Sequence, residues 1–132
     1  MTSSIPDSHR DLLETQVATL ATIGPDGRPQ LSAVWFLAED DVLRVSLNAN
    51  RQKTKNLGVN PATNLFILDA ANPLRYLEIR GDAQIEPDPA YSFAAKVGAK
   101  YGADLRQMDS PGDSRVVVTI QAVRVNAVDL SG

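Results

Sequence analysis

Three cations, Arg51, Lys53 and Lys55, stand within five residues, directly after the alternating stretch Val45-Ser46-Leu47-Asn48. A guanidinium grips anionic oxygens through two parallel N–H groups, and an ammonium acts as a point charge, so the cluster suits a phosphate. The local pattern is a β-strand running into a polar turn and then a helical turn. The first amides of a helix have no intrahelical partner and lie at the positive end of its dipole, so an anion placed there is held by main chain and side chains together. Taken alone, the same residues are better read as a solvated basic turn. The remainder of the chain decides between the two.

Competing chemistry is thin. His9 is the only histidine and there is no cysteine, which removes thiolate catalysis, disulfides and Cys-ligated zinc. His9 sits beside Arg10 and Asp11 on a predicted helix and is expected at the surface; with one imidazole, a Ser-His-Asp triad has no base to spare. Asp40-Asp41 reads as a hairpin turn rather than a metal site. Trp35 could stack on a ring, yet a tryptophan on a strand is expected in a core or at a subunit interface. No glycine-rich nucleotide loop of the Rossmann or Walker type is present. No catalytic or metal-ligating residue is assigned.

The elements that must position the cations follow from periodicity and turn residues. With 132 residues, 43% of them hydrophobic, the chain fits one domain spanning 1–132. A net charge of −3 lacks the broad positive field that nucleic acid or an anionic membrane requires, and the absence of a leader-like or membrane-length apolar run makes the cytoplasm the expected location. Met1 to Ser4 read as a frayed end. A short helix starts at Pro6-Asp7-Ser8, with Ser8 and Asp11 as a weak capping box, and ends near Thr15 or Gln16. Val17 to Ile23 and Pro29 to Phe36 form a hairpin around Gly24-Pro25-Asp26-Gly27. Val42 to Asn48 is the third strand and Asn56 to Val59 continues a helix stopped by Asn60-Pro61. Thr63 to Leu68 and Arg75 to Ile85 are strands, the latter with Gly81 at a bulge or close approach. A helix from Pro87-Asp88-Pro89 to Tyr101-Gly102 carries Phe93, Val97 and Tyr101 toward a core, and Arg115 to Val128 is the last strand, after a polar connection from Ala103 to Asp113.

Six strands joined mostly as hairpins, with helices at the start, after the third strand and before the last, make a mainly β (α+β) fold: an antiparallel β-barrel with short flanking helices. The segments Val17 to Ser32, Arg51 to Leu57 and Arg75 to Gly81, in this order and spacing, resemble the pyridoxamine 5′-phosphate oxidase-like split β-barrel superfamily. Within it the chain is most similar to the actinobacterial deazaflavin (coenzyme F420)-dependent reductases of group B, over nearly its whole length. The resemblance implies a homodimer with F420, or alternatively FMN, in grooves at the subunit interface, and hydride transfer to an unsaturated or conjugated small-molecule acceptor. It implies that Arg51 and Lys53 grip the cofactor phosphate, with Thr54, Lys55 and Asn56 in the same loop. Gln30 and Ser32 match the groove strand, Ser46 the strand leading into the loop, and Tyr76 an aromatic wall supplied by the partner. Lys55 and Arg28 could meet the acidic tail of F420. True pyridoxamine phosphate oxidases end in an Arg- and Trp-rich segment, whereas this chain ends Val125-Asn-Ala-Val-Asp-Leu-Ser-Gly132, which argues against that activity. A non-catalytic F420 or FMN carrier and a haem-binding split barrel are the alternatives, the last disfavoured by the single histidine.

Overall fold

The computed structural model describes residues 5–15 and 17–131; the expected frayed end, Met1 to Ser4, lies outside them. Seven strands form one sheet: β1 (Ala18–Ile23), β2 (Pro29–Val34), β3 (Leu37–Glu39), β4 (Val42–Asn48), β5 (Ala62–Leu68), β6 (Arg75–Pro87) and β7 (Arg115–Asp129). Their order is β2-β1-β5-β6-β7-β4-β3, and every neighbouring pair is antiparallel. β2 and β3 thus lie at opposite edges of the sheet, yet only Trp35 and Phe36 separate them in the chain. A sheet whose two edges are tied by two residues must curl back on itself, which makes it a barrel with a split.

The seventh strand corrects the single strand expected from Pro29 to Phe36. β1 pairs with β2 as far as Val34, and β4 takes up Leu37, so the chain bends at Trp35-Phe36 and changes partner. Strand periodicity continues through such a bend, which hides it in the sequence. Beyond β3, the upper half of β4 from Val45 to Asn48 has β7 on one side and, among the described residues, no strand on the other. That unpaired edge is the split.

Side chains alternate as the period of two requires, and Leu20, Phe36, Leu65, Ile67, Leu77 and Val118 are wholly buried inside the barrel. Truncation of such a leucine to alanine costs about 2–5 kcal/mol. The register of β6 on β7 shifts between Arg80 and Gly81, where a Cβ would meet the Gln121 carbonyl oxygen at 2.2 Å, so the expected bulge is also a close approach. Asp40 and Asp41 take positive φ values of 51° and 64° in the β3–β4 turn, the geometry that Asp tolerates.

Three expectations at the helices change. The first helix is a 3₁₀ helix, Asp7–Glu14, without a side-chain cap; Ser8 Oγ lies 2.8 Å from His9 Nδ1 instead, and Asp11 pairs with Arg75. His9 is buried, at 5% exposure, with Nε2 3.0 Å from the Val128 carbonyl, so it ties the N-terminal helix to β7. The later helix, α2 (Ser92–Tyr101), starts after Tyr91, which takes a left-handed φ of 58°. Asp88 still caps it, accepting from the Phe93 and Ala94 amides at 3.3 and 3.0 Å. Phe93 and Val97 are buried, but in a second small cluster with Ala94 and Leu105 outside the barrel core. No helix among the described residues is long and apolar enough to cross a membrane.

Candidate functional site

The cations lie where the split opens. β4 ends at Asn48, a turn closed by the Arg51 amide on the Asn48 carbonyl follows, and α1 (Gln52–Val59) begins. Arg51 occupies the cap position in extended conformation, and its carbonyl accepts from the Thr54 and Lys55 amides. Among the described residues no side chain caps this helix, so the amides at its start have no substitute acceptor there.

Two clefts meet at this point, and Arg51 and Lys53 line both. The first, about 200 Å³, runs along the split between Ala33-Val34-Trp35 and Ser46-Leu47-Asn48, and Val97, Leu105, Met108 and Arg115 close it. The second, about 300 Å³, is lined mostly by polar residue types: Thr22, Gln30, Ser32 and Gln52, with Leu31. Lys53 Nζ donates to Ser32 Oγ at 3.2 Å. Partial burial, and after it the adjacent Arg51 charge, pull the Lys53 ammonium below the ordinary lysine range. Among the described residues, no ion pair forms at Arg51, Lys53 or Lys55, whereas Arg10, Arg75 and Arg115 are all paired.

Each cleft is backed by a hydrogen-bonded cage. Behind the second, Asn56 is 2% exposed and spends its whole amide: Nδ2 donates to Thr22 Oγ1 at 3.1 Å and Gln30 Oε1 at 2.8 Å, and Oδ1 accepts from Gln52 Nε2 at 2.8 Å. Behind the first, Arg115 and Asp109 form a two-pronged pair at 2.9 and 3.0 Å, with side chains 9% and 5% exposed. Asp109 also accepts from the Tyr91 hydroxyl at 2.7 Å and from Asn48 Nδ2 at 3.0 Å. Burial pushes the Asp109 carboxyl up, but the bonds from Arg115, Tyr91 and Asn48 outweigh it and hold the group below the ordinary carboxylate range.

The structure therefore sorts the predicted site residues. Arg51, Lys53, Gln30, Ser32 and Ser46 line the clefts. Thr54 and Asn56 stand behind the wall: the Thr54 hydroxyl donates to the Asn48 carbonyl at 2.8 Å, so both side chains shape the loop instead of facing the cleft. Lys55 is exposed and lines neither cleft, and Arg28 lies by Asp26 on the β1–β2 turn. Tyr76 lies on the outer face of β6, packed on Phe66 with 5.0 Å between ring centroids, and lines neither cleft of its own chain. Trp35, expected in a core or interface, lines the first cleft. Asn48, Asp109 and Arg115 were not anticipated; the signal for Arg115 was a cation placed directly before the apolar run Val116-Val117-Val118.

The donor set fits a phosphate bearing a flat organic group. Two uncompensated cations and open helix amides supply the anion grip, and an apolar wall of Trp35, Val97 and Leu105 adjoins it. The family model described as pyridoxamine 5′-phosphate oxidase matches residues 5–129. An F420 reductase is 36% identical, covering 92% of this chain and 98% of its own, with a TM-score of 0.81. A conserved hypothetical protein of Mycobacterium tuberculosis is 28% identical over 97% of this chain and 86% of its own, with a TM-score of 0.77. HupZ of Group A Streptococcus, 23% identical over 96% of this chain and 95% of its own at a TM-score of 0.73, shares the fold.

Proposed function

Because the chain belongs to the pyridoxamine 5′-phosphate oxidase family, we propose that it is an oxidoreductase that holds coenzyme F420 at the Arg51–Lys53 junction and serves hydride transfer to an unsaturated or conjugated organic acceptor. The observation that carries this reading is the pair of cations without carboxylate partners at the uncapped start of α1, where two clefts meet. The 36% identity to an F420 reductase supports the choice of cofactor.

When bound, the deazaflavin supplies the hydride chemistry on its own ring. The chain's residues bind, orient and exclude water. Arg51 grips two phosphate oxygens, Lys53 adds a point charge oriented by Ser32, and the first amides of α1 complete the anion site. An anion at Lys53 offsets the desolvation that otherwise disfavours its charged form. Trp35, Val97 and Leu105 keep water from the neighbouring cleft. Asn56 holds Gln30 at the rim, and Thr54 fixes the turn that aims Arg51. Two copies of the chain form the working unit, with Tyr76 contributed across the interface; the 70% exposed Leu31 on edge strand β2, beside the second cleft, supports burial by a partner.

A fluorescence titration with F420 and with FMN tests the reading on the native chain, on Arg51→Ala with Lys53→Ala, and on Lys55→Ala. The double variant loses about 100-fold in F420 affinity, the order expected for two charge-assisted contacts, and Lys55→Ala stays within about twofold. Unchanged affinity in the double variant sinks the phosphate assignment, and binding of FMN alone transfers the site to that cofactor. Oxidation of reduced F420 on addition of a quinone or enone separates an enzyme from a carrier.

A further inference from the structure

The two residues that join the edges of the sheet have no strand partner of their own, since β2 pairing ends at Val34 and β3 pairing begins at Leu37. The end of α2 holds them from outside. The Tyr101 hydroxyl accepts from the Phe36 amide at 3.0 Å and donates to the Phe36 carbonyl at 3.2 Å. The Lys100 ammonium donates to the same carbonyl at 2.9 Å and sits 3.9 Å from the centre of the Phe36 ring. Both polar groups of one peptide unit pair are thus satisfied by adjacent side chains of a helix that adds nothing to the barrel core.

The same helix end fixes the indole next door. The rings of Trp35 and Tyr101 stack with centroids 4.4 Å apart and planes 5° from parallel. Trp35 also lines the cleft beside Arg51 and Lys53, which neither Lys100 nor Tyr101 lines. An indole on an unpaired two-residue link would otherwise sample several rotamers, and stacking against a clamped ring confines it to one. A flat, immobile wall favours ligands by shape: a planar ring makes contact over its whole face, and a puckered one touches at a few atoms.

We propose that Tyr101 and Lys100 are positioning residues that lock Trp35 as the rigid wall of the cleft, so that the site selects planar conjugated rings; this rests on the reading of that cleft as the ligand site. The two residues act through Trp35 and the Phe36 peptide, with no contact of their own to the ligand. Tyr101 sets the plane of the wall, and Lys100 with the Tyr101 hydroxyl sets the position of the backbone that carries it.

Trp35 is the only tryptophan in the chain, so its emission reports this wall directly. Acrylamide quenching of that emission is compared in the native chain, Tyr101→Phe, Tyr101→Ala and Trp35→Leu (the last as a blank), alongside affinities for F420, for the deazaflavin riboside that lacks the phosphate, and for inorganic phosphate. In Tyr101→Ala the indole becomes more accessible to quencher, and riboside affinity falls roughly fivefold, the order of one ordered aromatic contact, with phosphate affinity unchanged. Tyr101→Phe retains the stacked ring but loses the hydroxyl, while Lys100 still holds the Phe36 carbonyl, so its riboside affinity falls less than that of Tyr101→Ala. Trp35→Leu leaves the backbone clamp in place and reproduces the ring-selective loss, which covers the case in which Tyr101→Ala fails to fold. Unaltered quenching and riboside affinity in a folded Tyr101→Ala, or equal losses for riboside and phosphate, overturn the proposal. Failure of the cleft as the ligand site has a different signature, namely unchanged F420 affinity in Arg51→Ala with Lys53→Ala.

Discussion

The two cages behind the clefts solve the same problem with different chemistry. On the α1 side, Asn56 joins Thr22, Gln30 and Gln52 through neutral groups only. On the β7 side, Asp109 joins Tyr91 and Asn48 but is anchored by a buried ion pair with Arg115. The difference decides which cations remain available. Three cations line the first cleft, Arg51, Lys53 and Arg115, and the Asp109 carboxylate already neutralises Arg115. The neutral cage makes no such claim on Arg51 and Lys53. On the proposed reading an incoming anion is therefore drawn to the start of α1, and Arg115 serves as scaffold.

Three changes would break or sharpen that contrast. The largest effect is expected from Asp109→Ala, which leaves Arg115 buried without its partner and lowers unfolding free energy by about 3–5 kcal/mol in urea titration. Because folding depresses the Asp109 pKa, its contribution is complete above the ordinary carboxylate range and disappears as pH falls through the folded value, so the native chain also weakens in acid. A loss in Asp109→Ala smaller than that of Asn56→Ala would abolish the distinction between the two cages. Asn56→Ala removes only neutral bonds and costs about 1–3 kcal/mol by the same measurement, while the Arg51–Lys53 charges persist. The smallest effect is in pH. The charge-dependent part of F420 affinity is present while Lys53 is protonated and is lost as pH rises through its lowered pKa. The decline begins below the ordinary lysine range and vanishes in Lys53→Ala. A decline that survives this substitution would place the titrating cation elsewhere.

Local rules read most of the fold from the sequence. Val42 to Asn48 and Arg75 onward alternate so cleanly that one buried face was evident, and Gly81 marked the bulge because only a residue without Cβ fits against Gln121. The strand, turn and helix start that carry Arg51, Lys53 and Lys55 were equally legible, since they are contiguous. What escaped depends on contacts distant in sequence. His9 is buried because Val128 lies over it, which nothing in residues 7–14 encodes. The bend at Trp35-Phe36 depends on Tyr101 and Lys100, about 65 positions later. Asp109 looked like one more carboxylate in a polar connection until Arg115 and Asn48 converged on it. Thr54 and Asn56 were legible as loop residues, but whether an amide faces a cleft or the wall behind it is a matter of side-chain direction that spacing does not supply.

The position of β7 has a consequence for how the molecule comes into being. This strand lies between β6 and β4, so the β2-β1-β5-β6 half and the β4-β3 half of the sheet are paired only through it. Until Arg115–Asp129 docks, the two halves have open edges, and the pairing of Asn48 with Arg115 joins segments more than sixty residues apart. The Arg115–Asp109 pair stands at the start of that last strand, so the wall of the cleft and the closure of the sheet are completed in the same event.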